Sequence, residues 1–251
     1  MRNCTLRLLP RADVAALRSV DALATSSNAG LVGNANPNFW RFAGRRNADG
    51  AIHRAAGPEL LRACADIADD DGSRCRIGEA VVTPAFGSLR AEMVIHAVAP
   101  DGAYAVGLQR WWGRRQWSGS AGATAVYLQE AQPHGTAEEL LAQTYTAVLQ
   151  AADESGVKAV GLPAIGCGVL GFGPERACGV ALGAIAAHVA LHSSVERLDV
   201  AFHSDEAFNG WRKRTRALIG EPVSEGGEAE VYDLSPMIEA CALSSVRREL
   251  N

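Results

Sequence analysis

The residues best suited to chemistry in this 251-residue chain lie between Pro163 and Phe172, where Gly166, Gly168 and Gly171 are interleaved with Cys167, Val169 and Leu170. The apolar run Ala159–Leu162 precedes them, and a helical pattern opens near Pro174. Glycine lets backbone approach a ligand closely and adopt positive φ, so that successive N–H groups converge on one anion. A helix start adds partial positive charge at the same point. Such a loop suits a phosphate or diphosphate. The same residues also make an ordinary glycine-rich turn between two core elements, and the loop alone does not separate these readings.

Other reactive side chains point to less. The cysteines are Cys4, Cys64, Cys75, Cys167, Cys178 and Cys241, with no C-x-x-C pair and no histidine at metal-like spacing beside them. This argues against a zinc site, and no metal or cofactor is expected. An even count admits disulfides. The chain lacks an apolar signal segment and exceeds a small stapled scaffold, which favours reduced thiols in an intracellular protein, cytoplasmic or nuclear. Trp111, Trp112, Arg114, Arg115 and Trp117, like Phe39–Phe42, could stack on bases or cover an edge of the core. The net charge of −4 argues against nucleic acid as a partner. No apolar run approaches the roughly 20 residues of a membrane span. No feature specifies an oligomeric state.

The elements that must position the loop follow from periodicity. Strands are expected at 4–9, 20–24, 79–84, 92–98, 159–162 and 198–202, and helices at 13–19, 136–154, 174–191 and 205–219. Asp49 reads as the cap of a short helix carrying Ile52, Ala55 and Ala56, which Gly57-Pro58 separates from a second one through Leu60 and Cys64. Strands alternating with helices give an α/β fold with a largely parallel sheet. With 48% hydrophobic residues, one large core is affordable. The acidic, core-poor segment from Gly220 to Glu230 reads as a linker, so residues 220–251 are expected to form a linker and C-terminal tail, helical from Pro236 onwards.

Four stretches in order resemble the macrodomain, an ADP-ribose-binding α/β module. They are Asp49-Gly-Ala-Ile-His-Arg-Ala-Ala-Gly-Pro-Glu-Leu-Leu61, Gly78-Glu-Ala-Val-Val-Thr-Pro84, Val94-Ile-His-Ala-Val-Ala-Pro100 and Pro163-Ala-Ile-Gly-Cys-Gly-Val169. The resemblance spans roughly residues 4–218 and implies a three-layer α/β/α fold around a mixed, largely parallel sheet. The macrodomain is expected over 1–219, with insertions at about 34–46 and 101–135.

The resemblance also implies roles. Asp13 would accept from the adenine amino group, with the Val14 N–H on a ring nitrogen. Gly166, Cys167, Gly168, Val169, Leu170 and Gly171 would cradle the diphosphate, and Phe172 would pack on the distal ribose. Phe202 or His203 would stack on adenine. Asn28 would hold the distal ribose hydroxyls, and Asp49 would activate a water that attacks the anomeric carbon, releasing ADP-ribose from a protein or an O-linked ester. The bland alternatives are a capping aspartate at 13 or 49 and a turn-forming asparagine at 28.

The chain departs from the family at this point. Thr25-Ser26-Ser27-Asn28 stands for an Asn-Ala-Ala-Asn segment, and Gly44-Arg45-Arg46-Asn47-Ala48 replaces a glycine run. Two arginines cannot wrap a ribose as glycines do, so a non-catalytic reader of ADP-ribosylated targets is the alternative to a hydrolase.

Overall fold

A computed structural model describes residues 3–33, 47–70, 73–102, 135–168, 170–191, 193–226 and 228–249. The insertion at 34–46 and nearly all of that at 101–135, with Trp111–Trp117, lie outside them, as does Val169. Eight strands form one sheet: β1 (Thr5–Pro10), β2 (Ala22–Ser26), β3 (Ala80–Pro84), β4 (Met93–Ala97), β5 (Ala159–Pro163), β6 (Arg197–Phe202), β7 (Ser224–Gly226) and β8 (Ala229–Asp233). Their order is β3-β4-β2-β5-β6-β1-β8-β7. The inner run from β4 to β1 is parallel, and β3, β8 and β7 pair antiparallel at the margins.

The helices are α1 (Ala48–Ala56), α2 (Pro58–Ala65), α3 (Ala137–Glu154), α4 (Pro174–Leu191), α5 (Asp205–Ile219) and α6 (Ser235–Glu249). The sheet separates two apolar clusters. One joins α3, α4, α5 and α6 through residues such as Leu141, Tyr145, Ile185, Trp211 and Ile238. The other joins α1 and α2 through Ile52, Leu60 and Cys64 to Leu23 and Val94 of the sheet. This is the expected three-layer α/β/α arrangement. Burying each large apolar side chain contributes about 1.5–3 kcal/mol, so both layers are held by their inward stripes.

Local signals account for the element ends. Thr136 and Glu139 form a reciprocal capping box at the start of α3. The helix expected at 13–19 is a single 3-10 turn, Val14–Ala16, capped by Asp13 Oδ1 accepting from Ala15 N at 3.0 Å. The cap of α1 is Asn47, whose side chain accepts from Gly50 N at 2.8 Å. Asp49 therefore lies inside the helix rather than at its cap.

The segment after Gly220 differs most from its reading as linker and tail. β8 pairs with β1, placing Tyr232 opposite Leu6. Tyr232 and Leu234 are fully buried, and α6 packs by Ile238 into the same core. The acidic composition is reconciled by alternation: Glu230 pairs with Arg212 and Arg216 while its neighbours on the strand turn the other way.

The geometry that matters for function is the carboxyl edge of the parallel run. Pro10 is in register with Phe202, and Ala201 with Pro163, so β1, β5 and β6 end within a residue of one another. Open α/β sheets bind ligands in the crevice outside that edge.

Candidate active site at the carboxyl edge of the sheet

Four connections leave this edge in spatial order. After β2 come Ser27 and Asn28, after β5 the loop from Ile165 to Phe172, after β6 His203, and after β1 Asp13. Four neighbouring strands span about 14 Å at their usual spacing. A long ligand would thus meet Asn28 and Asp49 at one end, the glycine loop in the middle, and His203 and Asp13 at the other.

Asp49 is the most distinctive residue of the first end. Its side chain is 1% exposed. Thr25 and Ser27 are i and i+2 at the end of β2, so both point to one face. They donate to Asp49 Oδ1 at 3.2 and 3.0 Å. His53, one helical turn on, brings its Nε2 to 3.8 Å from the same oxygen. Asp49 Oδ2 and His53 Nε2 are buried without a hydrogen-bond partner among the described residues. Burial pushes the Asp49 carboxyl above the ordinary aspartate range, opposed by His53, Ser27 and Thr25.

The network continues inward. The single Ser27 proton goes to Asp49, so His96 Nδ1, 3.3 Å from Ser27 Oγ, must be the donor in that contact. His96 Nε2 then accepts from Thr83 Oγ1 at 2.9 Å. Burial and the nearby His53 lower the His96 pKa to about 3, so the ring stays neutral. Thr25, Ser27, His53, Thr83 and His96 were missed as site residues in the sequence. The period-two pair Thr25/Ser27 and the i,i+4 pair Asp49/His53 were the available signals.

Cys64 adds a thiol to this cluster. Ligand atoms of His53, Cys64 and His96 lie within 4.8 Å of one another, a juxtaposition from three separate elements that sequence spacing could not display. Burial raises the Cys64 pKa to about 11, so the free thiol is protonated. His96 also has both nitrogens engaged by hydroxyls. In this structure the group is a hydrogen-bonded core cluster.

Asn28 is half-buried, and its amide is engaged locally: Oδ1 accepts from Val32 N at 3.3 Å and Nδ2 donates to Gly33 O at 3.5 Å. That is the turn-forming geometry weighed for it above.

The glycine loop is braced from below. Gly166 is buried with φ +90 and Gly171 has φ +73, conformations that favour glycine. Gly168 is exposed, and a Cβ added there would meet nothing within 4 Å. Tyr145 donates to Ile165 O at 3.3 Å and Trp211 Nε1 donates to Cys167 Sγ at 3.3 Å. Leu170 is half-buried.

Two aromatic expectations are corrected. Phe172 is 2% exposed. Its ring lies beneath Gly166 and Gly102, where a Cβ would come within 3.1 and 2.6 Å of it. The ring packs beneath the loop, away from solvent. Phe202 is 1% exposed, edge-on to Phe208 and Trp211 at 5.6 and 5.5 Å between ring centroids. The strand carries it into the core, and the exposed neighbour is His203. At the same end Asp13 is exposed and Val14 is buried.

A three-layer fold with a glycine loop between a buried carboxylate and an exposed aspartate defines a nucleotide-binding type of α/β domain. The family model described as Macro domain matches residues 35–107 and 124–181. The chain is 35% identical to a macro domain-containing protein of Vibrio parahaemolyticus, over 72% of this chain and 86% of that protein. It is 32% identical to a protein of Salmonella gallinarum named O-acetyl-ADP-ribose deacetylase, over 75% and 82% respectively. Its fold resembles the Oceanobacillus iheyensis macrodomain with a TM-score of 0.63 at 24% identity, covering 86% of this chain and 93% of that one. The chain belongs to the macro domain family. Among the described residues, no helix is long and apolar enough to cross a membrane.

Proposed function

We propose that this protein binds ADP-ribose along the carboxyl edge of the sheet and hydrolyses ADP-ribose conjugates, protein-linked or O-linked esters. The family resemblance supplies the orientation, and the order of the connections supports it: adenine between His203 and Asp13, diphosphate on the loop from Gly166 to Gly171, and distal ribose toward Asn28 and Asp49. Asp13 uses one oxygen to cap the 3-10 turn, leaving the other for an adenine amino group. Val169 belongs to the cradle by its position in the loop.

The observation that carries the catalytic reading is the buried Asp49, with one oxygen held by two hydroxyls and the other without a partner among the described residues. A carboxyl raised above its ordinary range accepts a proton more readily. Asp49 takes a proton from water, the hydroxide forms a bond to the anomeric carbon, and that carbon's bond to the acceptor oxygen breaks. The leaving carboxylate departs with the bonding pair, while the diphosphate stabilises the developing oxocarbenium charge. The relatives named O-acetyl-ADP-ribose deacetylase support an ester as substrate.

The engagement of Asn28 in its own turn favours a second reading, a non-catalytic reader of ADP-ribosylated targets. Titration with ADP-ribose, paired with a release assay on an ADP-ribosylated protein and on O-acetyl-ADP-ribose, separates them. Binding with release lost in Asp49→Ala supports the hydrolase. Binding without release leaves a reader, and absence of binding removes both.

A further inference from the structure

A second cavity, of about 620 Å³, adjoins the adenine end. It is lined by residues of the 3-10 turn and its flanks, of α1 and of the β3–β4 connection, among them Asp13, Arg18, Arg54 and Arg90. Ala15 and Ala16 of the turn and Ala51 and Ala55 of α1 also line it. Two of the lining residues are tied together, the N–H and hydroxyl of Ser88 both donating to Ala55 O, at 2.9 and 3.0 Å. Three arginines against one aspartate make it cationic in a chain whose net charge is −4. Among the described residues, no carboxylate pairs with Arg18 or Arg90.

We propose that this groove binds a phosphate carried on the adenosine half of the nucleotide, so that the protein prefers ADP-ribose extended at that end. The inference rests on the placement of adenine at Asp13 given above, because Asp13 lines both the adenine position and the groove. A guanidinium offers paired N–H donors that match phosphate oxygens, and three of them lining one cavity exceed what a neutral nucleoside needs. Two sources present this chemistry: a phosphomonoester on the adenosine ribose, and the diphosphate of a second unit in an ADP-ribose oligomer.

Calorimetric titration of the full chain with ADP-ribose, 2′-phospho-ADP-ribose and a two-unit ADP-ribose oligomer tests this, using wild type and an Arg18→Gln/Arg90→Gln variant. The expected result is roughly tenfold tighter binding of at least one extended ligand, weakening with salt, and abolished in the variant while ADP-ribose affinity is unchanged. A gain with the monophosphate assigns the phosphomonoester, and a gain confined to the oligomer assigns the diphosphate. Arg18→Lys/Arg90→Lys, which keeps the charge, should recover part of the preference. Equal binding of all three ligands overturns the groove but leaves the ADP-ribose reading standing. A preference that survives in the glutamine variant also overturns it, as does equal competition by a single-stranded oligonucleotide of similar charge. Failure of every nucleotide to bind overturns both proposals.

Discussion

Ser27 and Asp49, both buried, are joined by a 3.0 Å hydrogen bond, and the opposite oxygen of the same carboxyl has no partner among the described residues. A buried carboxyl satisfied on one side only is costly to ionise. Its persistence at the helix start nearest the sheet edge is the feature the hydrolase reading rests on.

Asp49→Asn should separate stability from function. Because its folded pKa is raised, Asp49 favours folding fully below the unfolded aspartate pKa, and that contribution is lost as pH rises through the folded value. At pH 8 the wild type therefore carries the ionisation cost and the asparagine variant does not, while the amide oxygen still accepts from Thr25 and Ser27. Thermal unfolding at pH 8 should give an unchanged or higher Tm for the variant with turnover down at least about 100-fold. A large fall in Tm would mean that the carboxylate is a structural anchor.

His96 predicts acid sensitivity. Burial holds its folded pKa at about 3, well below the ordinary histidine value of about 6.5. The unfolded chain therefore binds this proton first, and stability falls as pH drops from about 6.5 toward 3, by about 1.4 kcal/mol per unit. Asp49 works in the opposite sense over part of that window, so the difference between wild type and His96→Gln is the quantity to follow. Denaturant melts from pH 7 to 4 should show a shallower decline in the variant. Parallel curves would place the titration elsewhere.

The glycines of the loop should respond differently. Gly168→Glu enters open space, so folding stability should change by less than about 1 kcal/mol while ADP-ribose binding disappears. Gly166→Ala forces a side chain onto φ +90 with Phe172 3.1 Å away and should lower Tm. Comparing melting curves with titrations for both variants checks the assignment, and a Gly168→Glu protein that still binds would remove the loop from the site.

Phe172→Ala tests the bracing role. Emptying a buried phenylalanine position costs about 3–5 kcal/mol, so a marked fall in Tm is expected. An unchanged Tm with weakened binding would restore the ring to the ligand.

Much of this architecture was legible because its signals are local. Leu140, Leu141, Tyr145, Val148 and Leu149 mark one stripe of α3, and the glycines after Leu162 mark the loop. What was misread depends on partners distant in sequence. The β8 strand is five residues long in an acidic segment, and its partner Leu6 lies more than 200 residues earlier. Asp49 looks like a cap until Thr25 and Ser27 are placed beside it. Phe202 and His203 differ by one residue, and only the pairing of Phe202 with Pro10 fixes which one turns inward.

The most direct test of the central claim is the pH dependence of single-turnover release from O-acetyl-ADP-ribose, with Asp49→Asn as control and spontaneous ester hydrolysis subtracted. If Asp49 accepts the proton, the wild-type rate should rise with pH through an apparent pKa above the ordinary aspartate range, and the variant should lose that step and at least about 100-fold in rate. A rate that the substitution leaves intact, with the same pH profile, would contradict the assignment of Asp49 as the base.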